Sequence, residues 1–95
     1  MKQFFMTTTL SQYLQENNLQ FLLEIIYSMQ NVFIVSEEEF QVWIFRRAET
    51  NQFILELQDG NLNKILQIFY TAENVKIDEV KVWFENSTLF FPSER

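Results

Sequence analysis

The chain has 95 residues, a formal charge of −6 from thirteen acidic and seven basic residues, and neither cysteine nor histidine. Without Cys there is no disulfide framework, thiolate nucleophile or Cys-ligated metal, and without His there is no ready general base near neutral pH. Hydrophobic residues make up 47% of the chain and eleven residues are Phe, which excludes a disordered chain and fits one domain over 1–95, with 1–8 a candidate flexible lead and 92–95 a tail.

The first predicted element is a helix. Thr9 can cap it, with Gln12 at capping-box spacing. Leu10, Tyr13, Leu14, Phe21, Leu22, Ile25, Ile26 and Met29 then recur on one broad face, and Asn17-Asn18 marks a kink or a break into two helices. Leu19 to Tyr27 is apolar nearly all round, the pattern of a helix buried on two sides or covered by a partner. A β region follows. Val32 to Val35 is its first short apolar run, and Ser36-Glu37-Glu38-Glu39 reads as an exposed turn. Phe40–Arg47 and Gln52–Gln58 are predicted strands joined by a hairpin loop, Ala48 to Asn51. In the second strand Phe53, Leu55 and Leu57 alternate with polar residues, Ile54 excepted, so one face is core and the other meets solvent.

Asp59-Gly60-Asn61 ends that strand. A second helix is predicted after it, capped by Asn61, because Leu62, Ile65, Leu66 and Phe69 hold the i, i+3, i+4, i+7 positions and Tyr70 extends the face. Val80, Val82 and Phe84 alternate with Lys81, Trp83 and Glu85 in a further strand. Asn86-Ser87 turns it into a last edge strand, Thr88–Phe91, which Pro92 ends. The expected fold is α+β: a mostly antiparallel sheet of four to five strands with two helices, in the order α-β-β-β-α-β-β, the helices packed on one face. This element order is similar to that of type III secretion chaperones and in part to that of ferredoxin-like domains, although the final helix of the chaperones has no counterpart. The resemblance implies a fold and not a function.

The chemistry left to the chain is narrow. Serine and cysteine triads are excluded by composition, and one glycine cannot build a phosphate-cradling loop. Glu37-Glu38-Glu39 is the densest acidic run, but it lacks the Asp-x-Asp-x-Asp-Gly pattern of a calcium loop and reads as a solvated turn. No catalytic, metal or cofactor residue is predicted, and no enzyme. Scattered Lys and Arg argue against direct nucleic-acid binding. The N-terminus has no signal-peptide core and no stretch approaches the ~20 apolar residues of a membrane span. A cytoplasmic protein without membrane contact is expected.

The second face of the sheet is the candidate site. If the helices cover the Val42/Leu55/Val82 side, then Trp43, Phe45, Ile54 and Trp83 share the uncovered side, with Arg47 and the Glu37, Glu38, Glu39 turn at its rim. The competing reading makes these aromatic residues plain core. Arg46-Arg47 either pairs with Glu49 or Glu56 across the hairpin or contacts an anion beside the patch. Together these features predict a small acidic protein–protein interaction module, an adaptor, inhibitor or chaperone-like protein acting as a homodimer or on another protein. The alternative is an acidic inhibitor that imitates nucleic acid to block a DNA- or RNA-binding protein.

Overall fold

In the computed structural model, which describes residues 3–95, Thr7 rather than Thr9 opens the first helix. Its hydroxyl accepts from the Leu10 amide at 3.3 Å, satisfying one of the orphan donors of helix α1 (Thr8–Glu16). Asn17-Asn18 does break the helical run. Asn18 takes a φ of 59°, a left-handed conformation that Asn tolerates, and the Asn17 side chain donates to the Tyr13 carbonyl at 2.8 Å. Helix α2 (Gln20–Met29) then follows.

Among the described residues the sheet has six strands: β1 (Phe5–Met6), β2 (Phe40–Glu49), β3 (Gln52–Gln58), β4 (Lys64–Thr71), β5 (Glu79–Glu85) and β6 (Thr88–Phe90). Their spatial order is β1-β6-β5-β2-β3-β4, antiparallel throughout except for the parallel pair β1–β6. A third helix, the single turn α3 (Phe33–Ser36), leads into β2, and a 3-10 turn, Pro92–Glu94, follows β6. This corrects the expected architecture: the sheet is six-stranded and mixed with three helices, not four or five antiparallel strands with two.

Besides the break at Asn17-Asn18, three segments account for the difference. Leu62–Tyr70 is not a helix but mostly strand β4. Asp59 closes a hairpin ahead of it, its carboxylate accepting from the Asn61 and Asn63 amides at 2.8 and 3.0 Å and from the Asn63 side chain at 3.0 Å. The β-branched and aromatic residues that follow then supply β3 with a neighbour, which a helix could not do. Val32–Val35 is the opposite case. Both edges of β2 are taken by β3 and β5, so this apolar run has no edge to join there. It closes its own hydrogen bonds instead, Ser36 N–H to Val32 C=O at 2.9 Å and Glu37 N–H to Phe33 C=O at 3.0 Å. In the lead segment, Phe5–Met6 is held in the sheet by β6, while Met1 and Lys2 lie outside the described residues. The likeness in element order to the secretion chaperones goes with the second helix on which it depended.

Helices and sheet share one core. Leu10, Leu14, Leu19, Leu22 and Ile26 are fully or almost fully buried in the same cluster as Trp43, Phe45, Phe53, Leu55, Leu57, Val82 and Leu89. Each such side chain contributes about 1.5–3 kcal/mol by leaving water. The helices therefore cover one face of the sheet, and the other stays open.

Candidate interaction surface

Register decides which face is which. Trp43 stands opposite Leu57 on β3 and Val82 on β5, and Phe45 stands opposite Leu55 and Val80. Directly opposed residues point to the same side of a sheet. Trp43 and Phe45 thus share the side of Leu55 and Val82, beneath the helices, and Trp43 is 0% exposed. The expected grouping is one residue out of phase along β2. Ile54 and Trp83 do lie on the open face, but with Phe40, Val42 and Ile44 rather than with Trp43 and Phe45.

The open face is largely paved by its own side chains. The Phe40 and Trp83 rings meet edge-on at 5.1 Å, and Trp83 meets Phe90 at 6.2 Å. Arg95 lies over both Phe40 (5.1 Å) and Trp83 (5.7 Å) while pairing with Glu85 at 3.4 Å. Further along, Glu56 is shielded among Arg46 at 3.3 Å, Lys64 at 3.6 Å and the Gln58 amide. The Gln58 hydrogen bond, followed by Arg46 and the charge of Lys64, holds the Glu56 carboxyl below its ordinary value of 4.5 against the opposing effect of burial. The Arg46–Glu56 pair is the hairpin pairing that the sequence suggested. Arg47 serves structure: it pairs with Asp78 at 2.9 Å, stacks over Phe53 at 4.7 Å, and donates to the carbonyls of Thr50, Val75 and Ile77. These bonds tie the β2–β3 hairpin to the segment before β5. Among the described residues no group of three or more His, Cys, Asp or Glu could hold a metal ion, and no helix is long and apolar enough to cross a membrane.

Unpaved apolar surface gathers elsewhere, at α3. Phe33 is 77% and Ile34 52% exposed, and Val32 and Tyr27 are also exposed. Only Val35 of this turn plugs the core. A buried amide network fixes the turn in place. Gln41 and Gln30 exchange two side-chain hydrogen bonds of 2.9 Å, Gln41 also donates to the carbonyls of Val35 and Glu38, and its oxygen accepts from the Trp43 indole at 2.9 Å. Next to the turn, Tyr27, Ser36, Gln41, Phe84 and Phe4 line a cleft of about 250 Å³. Glu37 and Glu39 follow immediately and are exposed, with Glu38 half-buried between them. The two parts of the predicted rim are thus separate: Glu37–Glu39 borders the α3 patch and Arg47 is a strut of the hairpin.

Tyr27, Val32, Phe33 and Ile34 were missed as candidate site residues. One available signal is charge: from Gln3 to Phe45 the chain has no Lys or Arg, only Glu16, Glu24, Glu37, Glu38 and Glu39. Compared with known proteins, the chain matches over residues 1–95 the family described as "Family of unknown function (DUF6876)". The chain belongs to DUF6876. No curated protein and no solved structure matches it. In this DUF6876 chain, then, the combination that stands out is an exposed apolar turn inside a segment whose charges are all negative.

Proposed function

We propose that the chain is a protein-binding module that takes a partner segment carrying apolar anchors flanked by Lys or Arg. The observation behind this is the α3 turn: Phe33 and Ile34 remain exposed although a helical turn could have presented polar residues there. Large apolar side chains on a rigid turn beside a cleft supply the anchoring contacts of an interface, and surrounding carboxylates select and steer a basic partner. The Gln41 network holds the turn before binding, which lowers the ordering cost of association. Imitation of nucleic acid would use the same carboxylates but gives no role to Phe33 and Ile34.

The test is an NMR titration with a synthetic amphipathic helix of Leu and Lys, with a Leu–Glu helix as control. The Leu–Lys peptide is expected to shift the amides of Tyr27, Phe33, Ile34, Glu37 and Glu39, and to weaken as salt rises. Changing Phe33→Ser together with Ile34→Ser should raise the dissociation constant at least tenfold, about 1.4 kcal/mol. Equal binding of both peptides, or full affinity in the double variant, would sink the reading.

A further inference from the structure

Strand β4 ends the sheet, and among the described residues its outer edge has no neighbour. Hydrogen-bond parity shows which groups it offers. The Arg47 amide donates toward β5, to the Asp78 carbonyl at 2.7 Å, so the backbone groups of Trp43 and Phe45 also face β5. Those of Ile44 and Arg46 face β3, where they meet Glu56 and Ile54. Phe53, Leu55 and Leu57 accordingly turn toward β4, to Tyr70, Ile68 and Leu66. The Ala72 amide keeps this parity, donating back to Asn51 at 3.0 Å. What remains is the alternate set: the N–H and C=O of Gln67, Phe69 and Thr71 point out of the sheet.

Such edges are normally blunted by shortness, charge or proline. The opposite edge, β1, is two residues long. Strand β4 has eight residues, and from Ile65 to Ala72 it has no charge and no proline. Phe69, in the middle of this stretch, is 75% exposed.

We propose that two copies of the chain pair antiparallel through β4, about a two-fold axis perpendicular to the sheet, into one continuous sheet. Charge selects a second copy as the occupant. Two molecules of charge −6 repel almost everywhere, and this edge is a place where a long uncharged stretch meets itself. The axis passes through Ile68. That register sets Gln67 opposite Phe69 of the second copy as a hydrogen-bonded pair, and Ile68 opposite Ile68 of the second copy as a non-bonded one. At the strand ends the register sets Lys64 opposite Ala72 of the second copy, the residue before Glu73, twice by symmetry. Each face of the sheet stays continuous, so the helices of both copies lie on one side and α3 is left free.

Light scattering on a size-exclusion column over a concentration series tests this. Edge pairing is a small interface, so the wild type should show twice 11.6 kDa at high concentration and fall toward 11.6 kDa on dilution. Phe69→Lys should raise the dissociation constant at least tenfold with unchanged circular dichroism, because the side chain lies on the open face. Ile68→Cys, in a chain with no other cysteine, should form a disulfide-linked dimer on mild oxidation, since the two Cα atoms of a non-bonded pair are about 4.5 Å apart. A wild type that stays monomeric at the highest concentration overturns the proposal, as does a dimer indifferent to Phe69→Lys or an Ile68→Cys chain that does not cross-link.

Discussion

The two tryptophans occupy opposite faces of one sheet, and their difference sets how each should respond to truncation. Trp43 is enclosed between helices and sheet, and its indole N–H is bonded to Gln41, the residue that also holds α3. Trp43→Ala would leave a large cavity and a gap in that network, a loss of about 3–5 kcal/mol. Against a typical total of about 5–15 kcal/mol, such a variant should be close to unfolding. Trp83 is half-exposed and touches Phe40, Phe90 and Arg95 on the open face, so Trp83→Ala should cost only about 1–2 kcal/mol. Urea denaturation compares the two directly. Equal losses would mean that the open face is packed as tightly as the core.

At the scale of elements, the β3–β4 connection gives a prediction of sign. Leu62 has a φ of 68° and is 80% exposed, so it strains the backbone without burying its side chain. In the hairpin, Leu62→Gly should stabilise by about 1 kcal/mol, because glycine adopts this conformation freely. Inside the helix expected from the spacing of Leu62, Ile65, Leu66 and Phe69, the same change would cost about 1 kcal/mol. A rise in the urea midpoint supports the strand and a fall contradicts it. The sequence left this open because Leu66, Ile68 and Tyr70 also satisfy a two-residue period, and only the Asp59 turn and the unpaired edge of β3 decide between the two. Strands β2, β3 and β5 were legible because their alternation has turn residues at its ends, and β6 from the Asn86-Ser87 turn and Pro92, although β1 and not β6 is the edge there. The phase of β2 was not legible. Phe40, Val42 and Ile44 are as apolar as Trp43 and Phe45, and a shift of one residue exchanges the faces. Of the predicted site, Ile54 and Trp83 kept their face, while Trp43 and Phe45 went to the core. The exposed α3 turn escaped notice because an apolar run of four residues carries no information on whether a neighbouring strand will accept it.

Across the whole molecule, charge is divided unevenly, and this bears on stability in acid. The segment from Gln3 to Phe45 carries five carboxylates and no Lys or Arg, whereas Arg46, Glu56 and Lys64 form a mixed cluster on the open face. Glu56 is the informative member. Its carboxyl titrates below its ordinary value of 4.5 in the folded chain, chiefly through the Gln58 hydrogen bond and then through Arg46 and Lys64. A depressed carboxyl binds fewer protons folded than unfolded, so its contribution to stability is complete above pH 4.5 and is lost as pH falls through the folded value. Asp59 is also held below its ordinary value of 3.8, by the Asn63 side chain and then by the Asn63 and Asn61 amides, so its contribution is likewise lost in acid. The stability of the wild type alone therefore mixes the two effects. The difference between wild type and Glu56→Gln separates them, since Asp59 is common to both chains. The variant should be less stable at pH 7, where wild-type Glu56 is charged and paired, and the gap should narrow steadily as the pH is lowered from 4.5 to 3. Urea midpoints of both chains across that range measure it. A gap that stays constant with pH would mean that the folded carboxyl is not depressed, and that Glu56 contributes only through packing and contacts its protonated form makes equally well.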